Sequence, residues 1–333
     1  MARVRREPQT RTMVPLQLDA SLASEFSVGP AADVGVDEAF ALVEAELTAT
    51  FGFCPATTED IRSYLQLPAT TRSDQLVVRD RTGRLVQWCY ALRDSGATMF
   101  FARVRTHPDL PGRVGDLLAG AGYDALLGWV RDEAAGEGQV VVQSMMARGD
   151  LAAERRLRAA GFVHERTLWE MVAPVAAVPD GLREHEGVIV TAGADPALVH
   201  RVLDDAFAGE WGYEQMGYAD WMAFHESLPG HDPDLWVLAE VDGVPASAMI
   251  LSRRNAEHGG LHVLELATSR SHRRRGLASV LLRHAHHVAA GEGLTTLTLM
   301  VDGDNPHDAP ALYRRAGFEV RTASYVFTRT LTA

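Results

Sequence analysis

The chain has 333 residues, room for two domains of ordinary size, and 47% hydrophobic against 23% charged residues allows a packed core. Its 32 basic side chains, all arginine, are outnumbered by 44 acidic ones, and a net charge of −12 argues against a nucleic-acid binder. Two cysteines, Cys54 and Cys89, make neither a disulfide framework nor a structural zinc site, and no apolar run approaches the roughly 18 residues of a membrane span, so a cytoplasmic setting is expected.

Residues 1–14 are basic with no apolar core behind them, which predicts a loose tail rather than a signal peptide. From there the chain resembles itself. "ALLGWVRDEAAGEG" at 125–138 matches "VLLRHAHHVAAGEG" at 280–293, an offset of 155, and "LRAAGF" at 157–162 matches "YRRAGF" at 313–318, an offset of 156. Segments in one order at a nearly constant offset indicate a duplicated domain, since a solenoid would repeat every ~20–50 residues. The expected division is 15–175, a linker at 176–185 carrying proline and charge, and 186–333.

In the second copy "GVIVTAG" predicts a strand and "PALVHRVLDDAF" a helix by its apolar spacing. "LWVLAEVDGVPASAMIL" predicts a hairpin turning at Asp242-Gly243. "LHVLELAT" predicts a strand, and Gly276–Ala290 a helix with Leu277, Val280, Leu281, Ala285 and Val288 on one face. "LTTLTLMV" predicts a strand, "APALYRRA" a short helix ended by Gly317, and "SYVFTRTL" a last strand. The fold class is mixed α/β: in each copy, helices flank one central mixed sheet.

The stretch "SHRRRGLASVLL" at 271–282 joins a strand to a helix. A helix start offers unpaired N–H groups and the positive end of the dipole, so it suits a phosphate. Gly276 permits close backbone approach, Ala278 is small, and Arg273, Arg274 and Arg275 add charged donors. The competing reading, a basic patch for nucleic acid, lacks a second basic cluster in an acidic chain. The helix histidines His284, His286 and His287 lack the carboxylate or cysteine partners of a metal site and are expected on a solvated face.

Arg273-x-x-Gly276-x-Ala278 resembles the Arg/Gln-x-x-Gly-x-Gly/Ala signature of the GNAT superfamily of N-acetyltransferases. "ATSRSHRRRGLA" and "DGDNPHDAPALYRRAGFE" resemble its neighbouring segments, and the duplication makes the whole chain similar to tandem GNAT proteins. The resemblance implies two GNAT-like domains and acetyl-CoA as cofactor, bound by Leu266, Ala267 and Thr268, by Arg273–Ser279 (Leu277 and Ser279 included) and by Asn305. Asn305 could equally be a turn residue.

It implies Tyr313 as the acid that protonates the departing thiolate, against the alternative of a core tyrosine. The base is His262 or Glu265, or a chain of water. Strict alternation puts the two on opposite faces of one strand, and a bulge would change that parity. Glu210, Trp211 and Glu214 are candidates to receive a cationic amine, with core aromatics and surface acids as the other reading.

In the first copy Leu118–Ala121 stands where the second has Arg273–Gly276, behind a longer approach loop. Leu151 stands for Asn305 and Leu157 for Tyr313. That predicts a structural or substrate-shaping first domain whose Gly-rich loop could still cradle an anion. The expected activity is acetyl transfer from acetyl-CoA to the primary amine of a small molecule. It would proceed by direct attack in a ternary complex formed by 186–333, with the chain a monomer or homodimer and with no metal, nucleic-acid or membrane partner. The alternative is a non-catalytic acyl-CoA-binding sensor.

Overall fold

The computed structural model describes residues 16–66, 75–93, 98–175, 182, 185–213 and 215–332. The expected tail 1–14 lies outside the described residues, as does the expected linker 176–185 apart from Leu182 and His185.

Two compact units form, but they are not the contiguous halves expected. The first is Met1–Arg166 together with Ser324–Ala333, and the second is Thr167–Ala323. The boundaries 15–175 and 186–333 are corrected accordingly, and strand pairing gives the reason.

The first unit runs α1 (Ala20–Ala23), β1 (Phe26–Pro30), α2 (Val36–Phe51), α3 (Thr58–Gln66), β2 (Leu76–Asp80), β3 (Leu85–Arg93), β4 (Met99–Thr106), α4 (Gly112–Glu133), β5 (Gln139–Ala147) and α5 (Leu151–Ala159), then enters β6 (Val163–Pro174). Strands β1 to β5 lie in chain order, and only the β4–β5 contact is parallel. The outer edge of β5 is paired antiparallel with residues 324–332, in register from Ser324–Ala147 to Thr332–Gln139. Phe327 and Leu331 from that stretch are buried in the core with Leu126, Val130 and Val142.

The second unit continues with β7 (Val188–Ala192), α6 (Pro196–Phe207), α7 (Tyr218–Glu226), β8 (Trp236–Val241), β9 (Val244–Ser252), β10 (Gly260–Thr268), α8 (Leu277–Gly291), β11 (Thr296–Asp302), α9 (Ala309–Arg315) and the first residues of β12 (Glu319–Thr332). Strands β7 to β11 again follow chain order, and β11 takes its outer partner from β6, in register from Thr296–Pro174 to Asp302–Leu168. Met171 and Ala173 of β6 are fully buried against Leu281, Leu297 and Leu299. Each unit thus completes its sheet with a strand whose residues lie next to the other unit in sequence.

Local chemistry explains the elements. Asp195 caps α6 by accepting from the Ala197 N–H, and Pro196 opens its first turn. Val199, Val202, Leu203 and Ala206 form the face that α6 buries. Asp242 and Gly243 both have positive φ, 52° and 74°, as the two-residue β8–β9 turn requires. The "AGF" repeats are one helix end made twice: the Phe162 N–H donates to the Leu157 carbonyl and the Phe318 N–H to the Tyr313 carbonyl, both at 3.0 Å.

Three local expectations are corrected. Leu118–Ala121 lies inside α4, so it is no phosphate loop, and the connection before the helix is 107–111, shorter than 269–276 in the second unit. Apolar positions at helical spacing, Leu118, Leu126, Trp129 and Val130 among them, wind the additional residues into α4. Two of its glycines serve packing: a Cβ on Gly122 would meet Cys89 Sγ at 2.8 Å, and one on Gly115 would meet Arg156 Nη2. Finally, His286 is fully buried rather than on a solvated face, because the helical period puts it beside Leu282, Ala285 and Ala289.

Candidate active site

In the second unit the parallel pair β10–β11 holds from Gly260–Thr296 to Val263–Leu299 and stops, although β10 runs on to Thr268 and β11 to Asp302. A bulge in β10 between Val263 and Glu265 bends the strand at that point. The two strands therefore part into a wedge whose facing backbone groups have no ladder partner. Leu266 from one wall and Val301 from the other belong to the apolar cluster that also buries Tyr313.

Beyond Thr268 a single tight turn, Arg270–His272, leads into the arginine run. Arg274 has φ 61°, an uncommon conformation for a side-chain-bearing residue, and Gly276 has φ 81° as the cap of α8. No side chain caps α8 and its first turn holds no acid, so among the described residues no carboxylate caps the N–H groups of Leu277, Ala278 and Ser279. Arg274 and Arg275 are exposed.

Arg273 is committed inward. Its Nη2 donates to the Ala206 carbonyl at 2.8 Å and its Nε to the Thr268 carbonyl at 3.4 Å. This fastens the loop to the last turn of α6. Ser247 Oγ donates to the Ala267 carbonyl and meets Thr268 Oγ1 at 2.9 Å, which fixes the end of β10.

Asn305 acts as a turn residue here, its Oδ1 accepting from the His307 N–H at 3.0 Å. His307 Nε2 stands 2.7 Å from Arg273 Nη1 and 2.9 Å from Glu210 Oε1. Glu210 is thus engaged with His307 and lies 3.7 Å from Arg273. Trp211 is half-buried, and Glu214 lies outside the described residues.

Tyr313 projects from α9 into the core, 8% exposed, with its ring 5.8 Å from that of Phe318. Burial pushes its hydroxyl up to about 12, so the phenol keeps its proton at neutral pH.

The bulge in β10 puts His262 and Glu265 on one face of the strand, the parity that alternation alone would forbid. Their environments differ. His262 is buried with Nδ1 2.9 Å from Thr298 Oγ1, and burial first, then the charges of Arg254 and Arg321, push it down to about 3. It is held neutral. Glu265 is partly open to solvent and sits 3.2 Å from His225 Nε2.

His225 and Tyr213 were not singled out in the sequence. Tyr213 donates to Asp204 at 3.0 Å, and burial, that bond and the charges of Asp204 and Glu265 raise its pKa. No local motif links His225 on α7 to Glu265 on β10; only the fold joins them.

The first unit has the same parallel start, Met99–Val141 to Phe101–Gln143, and beyond it Glu46, Val104, Tyr123 and Arg156 line a small cavity. Arg103 donates to the Met145 carbonyl, and Arg105 donates to Glu46 at 2.8 Å. Tyr123 Oη lies 3.4 Å from Ser144 Oγ. Near the start of α4, Asp116 pairs with Arg155 and Arg156 at 2.9 Å, and the Arg155 bond leads in holding its carboxyl below the usual range. Leu157 takes the helix position of Tyr313 and is buried, whereas Leu151 opens α5 and is exposed.

Residues 198–318 match the model of the acetyltransferase (GNAT) family. A solved GCN5-related N-acetyltransferase from Sphaerobacter thermophilus superposes with a TM-score of 0.77 at 22% identity, covering 92% of this chain and 96% of its own. A tandem GNAT protein from the clavulanic acid biosynthesis pathway does so at 0.66 and 17%, covering 92% and 98%.

The chain has the fold of tandem GNAT proteins.

Two curated relatives are each named mycothiol acetyltransferase. The one from Cellulomonas flavigena is 35% identical over 192 residues, 53% of this chain and 54% of its own length. The one from Clavibacter michiganensis subsp. michiganensis is 34% identical over 206 residues, 58% and 63%. The chain thus spans between half and two thirds of the relatives it matches.

The match runs from within α6 through α9, so the wedge, the arginine loop and Tyr313 all lie in the matched stretch. Among the described residues no cluster of His, Cys, Asp and Glu could hold a metal ion, and no helix is long and apolar enough to cross a membrane. Cys54 and Cys89 are unpaired thiols.

Proposed function

We propose that the chain is an acetyl-CoA-dependent N-acetyltransferase acting on the primary amine of a small molecule, with its active site in the second unit. The observation that carries this reading is the pairing of the β10–β11 wedge with the uncapped, acid-free start of α8 directly after β10.

The residues present fit coenzyme A. Gly276 at positive φ, a helix start that no described side chain caps and the exposed guanidinium groups of Arg274 and Arg275 suit a diphosphate. The unladdered edges of β10 and β11 suit the amide-bearing arm. Acetyl-CoA, when bound, supplies the acetyl group on a thioester.

The chain's own groups would then move two protons. Glu265, the ionisable group of β10 still open to solvent, takes one from the acceptor's ammonium, leaving the amine lone pair free for attack. Tyr313 Oη gives one to the sulfur as the carbon–sulfur bond breaks. His262, held neutral at pKa about 3, serves packing instead. Attack is direct, in a ternary complex, on this reading. Both curated relatives are named for mycothiol, so the amine precursor of mycothiol is the first acceptor to try.

Incubation with acetyl-CoA and a panel of primary amines tests this. Release of free thiol that depends on an amine supports the enzyme. Binding of coenzyme A without turnover on any amine favours the acyl-CoA sensor.

A further inference from the structure

His225 is 2% exposed and lies among aromatic rings: Trp221 at 4.2 Å, Phe224 at 5.3 Å and Trp236 at 5.6 Å. Its Nδ1 is 2.9 Å from the Trp221 carbonyl, one turn back on α7. A carbonyl oxygen only accepts, so Nδ1 carries a hydrogen. Nε2 then faces Glu265 Oε1 at 3.2 Å. A neutral imidazole would point a lone pair at a carboxylate there. The contact is attractive only with one further proton between the two groups, as imidazolium and carboxylate or as imidazole and carboxylic acid.

Other titratable groups among the described residues lie near the pair. Tyr213 lies within the field of Glu265 and is bound to Asp204. His231 packs against Trp236 at 5.6 Å and His200 against Trp221 at 5.0 Å, each on a tryptophan that His225 also contacts. Glu265 is the carboxylate paired with His225 among the described residues.

We propose that His225 is a positioning residue for Glu265. It holds one carboxylate oxygen, leaves Oε2 for the acceptor's ammonium, and keeps one proton on the pair, which sets the pH at which Glu265 works. In the step, an ammonium N–H bond breaks and an O–H bond forms at Oε2. The electron pair stays on nitrogen, and the proton later passes to solvent. The inference rests on Glu265 being the base.

Two measurements test it. In the first, imidazole-labelled protein without ligand is titrated by NMR as wild type and as Glu265→Gln, with His225→Gln assigning the resonance. The His225 signal is expected to titrate at least one pH unit lower without the carboxylate. A curve unmoved by Glu265→Gln overturns the proposal, whether or not the protein transfers acetyl groups.

In the second, the pH profile of acetyl transfer is compared for wild type, His225→Phe and His225→Gln. Loss of the cationic partner moves the acidic limb to higher pH in His225→Phe, with kcat down ten- to hundredfold and the KM for acetyl-CoA unchanged. The amide of His225→Gln still donates without titrating, so it restores most of kcat and only part of the limb. A His225→Phe profile that superposes on wild type overturns the proposal. If wild type itself acetylates no amine, the enzymatic reading fails while the NMR titration still decides the pair. If His225→Phe does not fold, the NMR comparison and His225→Gln carry the test.

Discussion

Leu157 and Tyr313 occupy the same position in their helices, each with its carbonyl bound at 3.0 Å by the N–H of a phenylalanine, Phe162 and Phe318. The backbone is the same and the side chain differs by a hydroxyl-bearing ring. Tyr313→Phe keeps the ring and its packing. Turnover is expected to fall about a hundredfold, within the usual range for losing a general acid. Calorimetry should give an unchanged affinity for coenzyme A, and a parallel loss of affinity would argue for a packing role.

Gly276 supplies a backbone conformation rather than space. Its φ is 81°, and the nearest atom to an added Cβ is His185 Cδ2 at 3.6 Å, so Gly276→Ala costs strain of about 1 kcal/mol. Affinity for coenzyme A is expected to drop with it, while Gly276→Asn, better suited to positive φ, loses less. Equal loss in both variants, read by calorimetry, would shift the explanation from strain to contact.

The glycines of α4 separate helix from loop. Gly120 has no atom within 4 Å of an added Cβ, so Gly120→Ala is expected to stabilise by about 1 kcal/mol. Gly122→Ala runs into Cys89 and Gln87 and is expected to destabilise. Urea midpoints read both. A loss in both would contradict a helix at this place.

This contrast marks how far the sequence was legible. The Asp242-Gly243 hairpin, the α6 helix and the doubled "AGF" turn are local chemistry, and they stand where expected. The glycines of 106–116 read as a loop able to cradle an anion because glycine looks alike in a loop and in a packed helix. The Glu265–His225 pair and the bulge that sets its parity depend on tertiary contact, and neither leaves a local trace.

His262 gives a pH dependence of stability. Its folded pKa of about 3 lies below the unfolded value of 6.5. Between these values the unfolded chain binds the extra proton, so the contribution is complete above pH 6.5 and lost as pH falls toward 3. The slope is at most about 1.4 kcal/mol per pH unit. His262→Gln should flatten that part of the curve of urea midpoint against pH, and an unchanged curve would assign the acid sensitivity elsewhere.

Coenzyme A is expected to bind once per chain. In the first unit Arg103 already holds the Met145 carbonyl, and Asp116 already occupies Arg155 and Arg156. Calorimetry giving two sites of similar affinity would refute this.

The division of the chain also sets an order of events during synthesis. The first unit lacks the partner of β5 until residues 324–332 exist, and these are made only after all of 167–323. Until then β5 leaves the ribosome with a bare edge, open to pairing with any strand it meets. Its completion waits on the translation of the unit that follows.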